Sequence, residues 1–436
     1  MQEESTPAIS VRSNGQPKAI RILLAITLFV NLFIGIGFIV LEMHGLRQDF
    51  IWKADFSVYY SEGLMIRDGY GSRIYDIELE KQYQKRVMDG RTFAGGILPF
   101  VYPPHVALIF VPFSYFPRQV AMGFWMAGQL LLLVYFLRML RRLIPAHTPY
   151  EHVLITASIL AFLPLFITIS IGAFSLIILV CHMKIYLNLR EGKCKNAGLW
   201  FGTGLLKPQH MMLPGVAFLA ARRWRALLVT TLFGLALFVI SSLILGWHIW
   251  PTYAQLVSTL TSYFDAFGFS PHKMYNFRGI LTVLIGYDHG KLINGISTIA
   301  LICSVVATFW IWNRPYEPEK PEFTLRMALT LLMGLFFNLH FYPQDALMLV
   351  GPAVLFYDYL GQRGLPRKTF AAVALCFPSV FLVVWRITRT NEALFVPVPV
   401  LVMTILGVCM ARALYKEYQS GTIMVPNGIK VDQNGI

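Results

Sequence analysis

Asp55 lies shortly after the first long apolar run, in the sequence Lys53-Ala54-Asp55-Phe56. A carboxylate at the edge of a bilayer can act as a general base and take the proton of a hydroxyl group as a new bond forms. Aspartate is also a preferred N-cap, and Asp55 could cap a helix that starts near Ser57. Capping and catalysis are compatible, so both interpretations of Asp55 stay open at this point.

Lys207 is the second candidate, because it interrupts an apolar segment directly before Pro208. An ionisable residue at membrane depth indicates a functional site, and a compact, flexible lysine cation suits a phosphate group. The alternative is that Lys207 extends its ammonium group to an interface, as long cationic side chains often do. His210 follows at helical spacing and could join the site or simply pack.

Two further polar clusters precede or follow apolar runs. His340 stands in the sequence from Asn338 to Asp345, where it could bind phosphate or orient a sugar hydroxyl, although a lone histidine is more often structural. Asp345 could cap the next helix. Arg278 opens a short apolar segment, and its forked guanidinium group suits phosphate, whereas the alternative is an interfacial anchor.

Several neighbours of these residues are candidates to line a shared cavity, and Asp76 is expected to cap the helix that follows it. The candidates are Tyr59, Glu62, Tyr102, His105, His210, Tyr342 and Gln344. The sequence has no HExxH or other metal cluster and no DxD pair, so no metal is predicted. It also has no Walker loop or GxGxxG fingerprint, so neither a nucleotide donor nor any other cofactor is indicated.

Composition identifies the elements that must position these residues. The chain is 56% hydrophobic and only 14% charged, whereas soluble domains carry roughly 25% charged residues. Apolar runs of about 20 residues predict membrane-crossing α-helices, since open sheets are excluded in lipid. The formal charge of +14 is distributed in short clusters between these runs, which argues against nucleic-acid binding and indicates cytoplasmic loops.

The charge pattern predicts ten crossings with both termini in the cytoplasm. The predicted spans are 20–41, 118–137, 152–171, 174–189, 226–246, 291–312, 326–340, 344–360, 369–386 and 393–413. This topology gives a disordered tail over 1–18, one transmembrane domain over 19–415 and a C-terminal tail over 416–436. The outer face receives two long loops, 42–104 and 247–276.

Three segments do not fit as full crossings, namely 102–117, 197–221 and 276–288. Basic clusters flank 197–221 on both sides, so we expect two short helices that enter the membrane and return, with the break at Lys207. An uninterrupted span through Lys207 is the competing interpretation. In the first outer loop, 57–67 and 77–88 have helical periodicity and could lie on the membrane surface.

The ordered motifs resemble glycosyltransferase family 87, a family of membrane enzymes with the GT-C fold. The resemblance rests on five pieces over roughly residues 20–410: Asp55-Phe56-Ser57-Val58-Tyr59-Tyr60, Ile74-Tyr75-Asp76, Phe100-Val101-Tyr102-Pro103-Pro104, Gly204-Leu205-Leu206-Lys207-Pro208 with Arg222-Arg223-Trp224-Arg225, and Asn276-Phe277-Arg278-Gly279 with the His340–Asp345 link. One departure is Gly172-Ala173-Phe174-Ser175, where the family would lead us to expect a Gly-Gln-Asn type of turn.

The resemblance implies an all-α polytopic enzyme that takes a sugar, most often mannose, from a polyprenyl-phosphate donor. The transfer to a lipid or glycan acceptor would invert the anomeric centre without a metal, on the periplasmic side of a bacterial inner membrane. Asp55 would be the base, while Lys207, Arg278 and His340 would hold the donor. A transporter or lipid flippase is the main alternative, but no inverted repeat appears in the sequence. A non-catalytic scaffold would leave Lys207 unexplained.

Overall fold

The computed structural model describes residues 55–93, 96–145, 148–260, 271–365 and 396–419, together with isolated positions 22, 25, 29, 33, 367 and 381. Most of these residues are helical, and none of them belongs to a strand. The α-helices are α1 Asp55–Arg67, α2 Ile77–Val87, α3 Pro104–Phe110, α4 Arg118–Leu143, α5 Pro149–Leu160, α6 Leu163–Ile171, α7 Ser175–Arg190, α8 Cys194–Gly204, α9 Pro208–Ala220, α10 Trp224–Leu245, α11 Ile249–Leu260, α12 Phe277–Ile285, α13 Gly290–Trp312, α14 Pro321–Phe336, α15 Val350–Gln362 and α16 Pro397–Gln419.

Within the described ranges, four helices are long and apolar enough to cross a membrane, namely α4, α10, α13 with the turn before it, and α16. They coincide with the predicted spans at 118–137, 226–246, 291–312 and 393–413. Helices α5 and α6 together cover the predicted span 152–171, and they meet at an angle of 49°. Nearly all of the predicted spans 20–41 and 369–386 lies outside the described residues.

Helix α10 shows how the sequence meets lipid. Nearly all of its residues are at least partly exposed, and only Ala226, Ser241 and Leu245 are buried. In a soluble protein such a surface would be an unpaired apolar patch, but a helix that is apolar on every side suits contact with acyl chains. Helix α10 packs mainly against α8, with smaller contacts to α3 and α9, and the exposed apolar residues that remain suit contact with lipid.

Helix α7 connects two chemically different ends of the bundle. Its first residue, Ser175, donates a hydrogen bond to Asp345, whereas its last residue, Arg190, pairs with Asp358. Sixteen residues of helix separate these contacts by about 24 Å, since each residue rises about 1.5 Å. We call the end with Asp345 the site end and the end with Arg190 the basic end.

The segment 197–221 forms two helices that enter the bundle and return, which confirms the predicted break. Helix α8 starts just after Arg190 at the basic end, and Lys207 reaches Asp345 at the site end. Helix α9 then leads back to Arg223, whose guanidinium group donates to the Tyr316 hydroxyl at 2.7 Å. Pro208 at the start of α9 cannot continue the helix before it, so the chain breaks at Lys207.

The segment 55–117 packs α1 between α2 and α3. Helix α1 is buried from Phe56 to Met65, so it lies inside the protein, while α2 keeps an exposed polar face. Gly63 is required for this packing, because a Cβ atom there would lie 2.4 Å from the Phe110 carbonyl oxygen. The prediction that Asp76 caps α2 is confirmed, since its carboxylate accepts from the Leu79 amide at 3.2 Å.

Candidate active site

The site is centred on a buried ion pair between Lys207 and Asp345. Lys207 Nζ lies 2.7 Å from Asp345 Oδ1, and both side chains are buried. The Ser175 hydroxyl donates to the same oxygen at 2.7 Å, and the Tyr342 amide donates to Asp345 Oδ2 at 3.3 Å. Asp345 is therefore not the N-cap that was expected: it is the third residue of a short 3-10 helix, Pro343–Leu349, and its carboxylate reaches back to the residue before that helix. The same carboxylate neutralises a lysine from a distant part of the chain.

Asp55 lies beside this ion pair and within electrostatic range of both of its members. Asp55 is the first described residue of α1. Burial raises the pKa of Asp55 to about 6; the positive charge of Lys207 opposes this shift and the negative charge of Asp345 adds to it. Because one cation serves two carboxylates, Asp55 remains the weaker acid.

An aromatic wall flanks Asp55 on the side of α1. The Tyr59 hydroxyl donates to the Tyr102 hydroxyl at 2.7 Å, and the two rings meet edge to face with centroids 5.1 Å apart. The Tyr75 hydroxyl fixes the Tyr102 backbone by donating to its carbonyl at 2.7 Å. Phe174 closes the wall, since its ring centroid lies 4.9 Å from that of Tyr59.

The turn before α7 departs from the family pattern, and the structure shows what its residues do instead. Gly172 has φ of 77°, a left-handed conformation that favours glycine, and its carbonyl accepts from the Trp125 indole at 2.9 Å. Ser175, three residues later, places its hydroxyl on Asp345. The turn therefore supplies a hydroxyl donor to the ion pair where a side-chain amide was expected.

A network of amide side chains holds the broken segments together beneath the site. Asn276 caps α12 by accepting from the Gly279 amide at 3.0 Å, and it donates to the Asn338 carbonyl at 2.5 Å. The Asn338 side chain donates toward His210 Nδ1 at 3.3 Å and accepts from the His340 amide at 2.9 Å. These bonds tie the turn at Lys207, the start of α12 and the His340 link into one unit.

His340 and Arg278 lie close to each other near the ion pair. The His340 ring meets the Tyr342 ring edge to face at 4.7 Å and lies within electrostatic range of Lys207, Asp345 and Arg278. Arg278 is buried, and its guanidinium group donates to the Leu339 carbonyl at 3.3 Å and to Asn294 Oδ1 at 2.6 Å. Arg278 therefore supports the backbone directly before His340.

The side chains of three predicted candidates have surroundings different from those of the Lys207–Asp345 ion pair. Glu62 faces Glu80 on α2, and its charge also reaches Tyr75. His105 is buried in α3 close to the Leu205 backbone, and neither ring nitrogen finds a geometrically acceptable hydrogen-bond partner among the described residues. Gln344 contributes its backbone, since its carbonyl accepts from the Thr168 hydroxyl at 3.0 Å.

Sequence reasoning did not place Asp345, Ser175, Asn276 or Asn338 in the site. For Asp345 a signal existed, because a lysine at membrane depth requires a carboxylate or a similar partner and Asp345 stands at the end of a predicted span. The other three are ordinary polar residues of turns, and only the fold brings them together. Among the described residues, no group of three or more His, Cys, Asp or Glu side chains could hold a metal ion.

Comparison with known proteins decides the family. The profile of glycosyltransferase family 87 matches residues 100–339, which is more than half of the chain. The chain belongs to glycosyltransferase family 87. No curated protein and no solved structure matches it significantly. The protein is thus an all-α polytopic membrane glycosyltransferase of the GT-C type, and the transporter and scaffold alternatives are set aside.

The extent of the match matters for individual residues. Lys207 and Arg278 lie within the part of the chain that matches glycosyltransferase family 87, whereas Asp55 precedes it and His340 directly follows it. The assignment of Asp55 as the base therefore depends on its position beside Lys207 and Asp345 and on its environment, while membership of the family supplies the reaction class.

Proposed function

We propose that this protein transfers a sugar, with mannose as the first candidate, from a polyprenyl-phosphate donor to a hydroxyl group of a lipid or glycan acceptor. The observation that carries the mechanism is the placement of Asp55, a half-buried carboxylate beside the buried ion pair of Lys207 and Asp345. A carboxyl group with a pKa of about 6 is ionised at neutral pH and still basic enough to accept a proton.

The proposed reaction is a single displacement. Asp55 takes the proton of the acceptor hydroxyl as its oxygen forms a bond to the anomeric carbon, while the bond from that carbon to the phosphate oxygen breaks. The electron pair leaves with the polyprenyl phosphate, and the configuration of the sugar inverts. No metal is assigned to the reaction, because the sequence has no DxD pair and the leaving phosphate can be stabilised by protein cations.

We assign the donor phosphate to the region between Lys207 and His340. The ammonium group of Lys207 has three donors, of which Asp345 occupies one, so two remain for phosphate oxygens. His340 lies close to the same charges, and Arg278 fixes the backbone that carries it. This assignment refines the role of Arg278, which supports the phosphate site by holding the Leu339 carbonyl.

The proposed location of the reaction follows from the distribution of charge between the two ends of the bundle. Arg190, Arg223 and Arg363 gather at the basic end, which the positive-inside rule places in the cytoplasm. The site end then faces the outside, which is the periplasm if the protein resides in a bacterial inner membrane. A lipid donor that enters from the outer leaflet would be held at the boundary, which lowers the entropic cost of the encounter.

The test uses purified protein with polyprenyl-phosphate mannose, arabinose or glucose and a panel of lipid and glycan acceptors. Asp55→Asn should lower turnover by at least about 100-fold, since general base catalysis contributes roughly 10²–10⁴, while donor binding survives. Asp288→Asn, an exposed aspartate near the start of α13, is the matched control and should retain full turnover. Normal turnover in Asp55→Asn would remove Asp55 from the role of base.

A further inference from the structure

Two glutamates of the segment 55–117 are buried together although the sequence gives no sign of it. Glu62 on α1 is 0% exposed and Glu80 on α2 is 1% exposed. The two carboxyl groups face each other within hydrogen-bonding reach. Tyr75 is close enough for both glutamates to act on it electrostatically. Two ionised carboxylates cannot share such a site without a cation, and no described cation lies against them.

The donors around the pair show where a proton belongs. Glu80 Oε1 accepts from the Phe100 amide at 2.6 Å and from the Gln84 side chain at 3.0 Å, whereas Glu80 Oε2 accepts no hydrogen bond from any described residue. Within the same described ranges, neither oxygen of Glu62 receives a donor. The carboxylate form is therefore stabilised at Glu80 only, and a protonated Glu62 would supply the one donor that Glu80 Oε2 lacks.

The pair lies on the elements that position the candidate base. Glu62 follows Asp55 by seven residues, which places both on nearly the same face of α1. Gln84 donates to Glu80 and also holds the segment before Tyr102: its side chain accepts from the Leu98 amide at 3.1 Å and donates to the Leu98 carbonyl at 2.7 Å. A bond between the two glutamates thus joins the helix that carries Asp55 to the segment that carries Tyr102.

We propose that Glu62 is a neutral carboxylic acid whose hydroxyl donates to the Glu80 carboxylate, and that this proton-dependent bond positions Asp55 and Tyr102. Glu62 and Glu80 are positioning residues, because neither lies at the reacting atoms. The effect of this bond on sugar transfer rests on the proposed function of Asp55, but the bond itself can be tested by unfolding experiments that need no transfer assay.

The sign of the pH dependence follows from burial, which raises the pKa of Glu62 and of Glu80 well above the usual range. An unfolded glutamate titrates near about 4.3, so stability from the pair is fully present below that pH. It is lost as the pH rises through the raised folded values, because the unfolded chain then releases a proton that the folded chain retains. Raising the pH should therefore favour unfolding.

The experiment measures the thermal unfolding temperature of the full chain in detergent between about pH 5 and about pH 9, where the slope reports proton release on unfolding. The variants are Glu62→Gln, whose amide donates to Glu80 at every pH, and Glu78→Gln, a matched control at an exposed position of α2. We expect Glu62→Gln to fold and to release about one proton fewer on unfolding, so that its unfolding temperature depends less steeply on pH. Glu78→Gln should keep the slope of the unsubstituted protein. An unchanged slope in Glu62→Gln would overturn the proposal.

A second readout separates positioning from a purely structural role. In the transfer assay, Glu62→Gln should extend activity to higher pH while leaving the decline at low pH, which belongs to Asp55, in place. Glu62→Ala lacks the donor and should lose activity across the whole range, with a lowered unfolding temperature. If Asp55 proves not to be the base, the unfolding experiment still decides whether the shared proton exists. If instead Glu62→Gln abolishes transfer at every pH while it folds normally, the positioning role is wrong.

Discussion

Both ends of the bundle bury a cation, but the two cations have very different surroundings. At the basic end, Arg326 is 1% exposed and donates to the carbonyl groups of Ile311, Arg314 and Pro315, while Glu322 balances its charge. At the site end, Lys207 contacts one carboxylate directly and has a second, Asp55, nearby. All the N–H groups of Arg326 are used in hydrogen bonds at and after the end of α13. The single positive charge of Lys207, by contrast, acts on two carboxylates.

The difference distinguishes a structural charge from one available for chemistry. Carbonyl groups in the last turn of a helix need donors, and a buried arginine that supplies them completes the fold. Burial raises the pKa of Asp55, and Lys207, which is shared with Asp345, offsets this rise only in part; groups with such shifts cluster at functional sites. Burial of a cation alone therefore does not identify the site. What distinguishes Lys207 from Arg326 is that two carboxylates surround one buried cation.

The largest expected effect comes from removing each cation in turn. Lys207→Met and Arg326→Met should each lower the free energy of unfolding by about 3–5 kcal/mol, because each leaves buried partners without a counter-charge or donor. Turnover per folded molecule should fall strongly only in Lys207→Met, together with affinity for the polyprenyl-phosphate donor. Chemical denaturation and transfer assays on the same preparations measure both quantities. Equal losses of turnover per folded molecule would show that the two ends do not differ as argued.

The next effect concerns the competition between the two carboxylates for Lys207. Asp345→Asn keeps an oxygen acceptor for Lys207 and Ser175 but removes a negative charge that raises the pKa of Asp55. The pKa of Asp55 should then fall below about 6, so the loss of transfer at acidic pH should move to lower pH. A pH profile of the maximal rate measures the shift.

The matched control for that profile is Asp358→Asn at the basic end, where the carboxylate pairs with Arg190 and accepts from Gln362. This variant removes a buried negative charge of the same kind but far from Asp55. We expect its acidic decline to coincide with that of the unsubstituted protein. A common shift in both variants would point to a general change in the field of the protein and would contradict direct competition for Lys207.

Local signals in the sequence were sufficient for the parts of the fold that depend on neighbouring residues. The break at Lys207 follows from Pro208 and from basic clusters on either side of 197–221, and both signals are local. The cap at Asp76 also involves only the residues that follow it. In the same way, four long apolar runs predicted four helices of membrane-crossing length among the described residues.

The pairings within the site could not be predicted in that way. Asp345 is 138 residues from Lys207, and its position before a helix suggested only a cap. Glu62 and Glu80 occupy helices where an acidic residue normally faces water, and only the packing of α1 against α2 reveals that both are buried. The partner of a buried charge is a tertiary property, so composition and periodicity can indicate that a partner is needed without identifying it.

The smallest expected effect tests the aromatic wall beside Asp55. Tyr102→Phe leaves the buried Tyr59 hydroxyl without an acceptor, at a cost of about 1–3 kcal/mol in the free energy of unfolding. Tyr59→Phe removes the donor itself and should cost only about 1 kcal/mol, because the partly exposed Tyr102 hydroxyl can bond to water. The double substitution should cost less than the sum of the two, since no unpaired hydroxyl remains at Tyr59. Denaturation of the four proteins gives the coupling, and additive costs would mean that the bond between the hydroxyls contributes nothing to holding α1 against Tyr102.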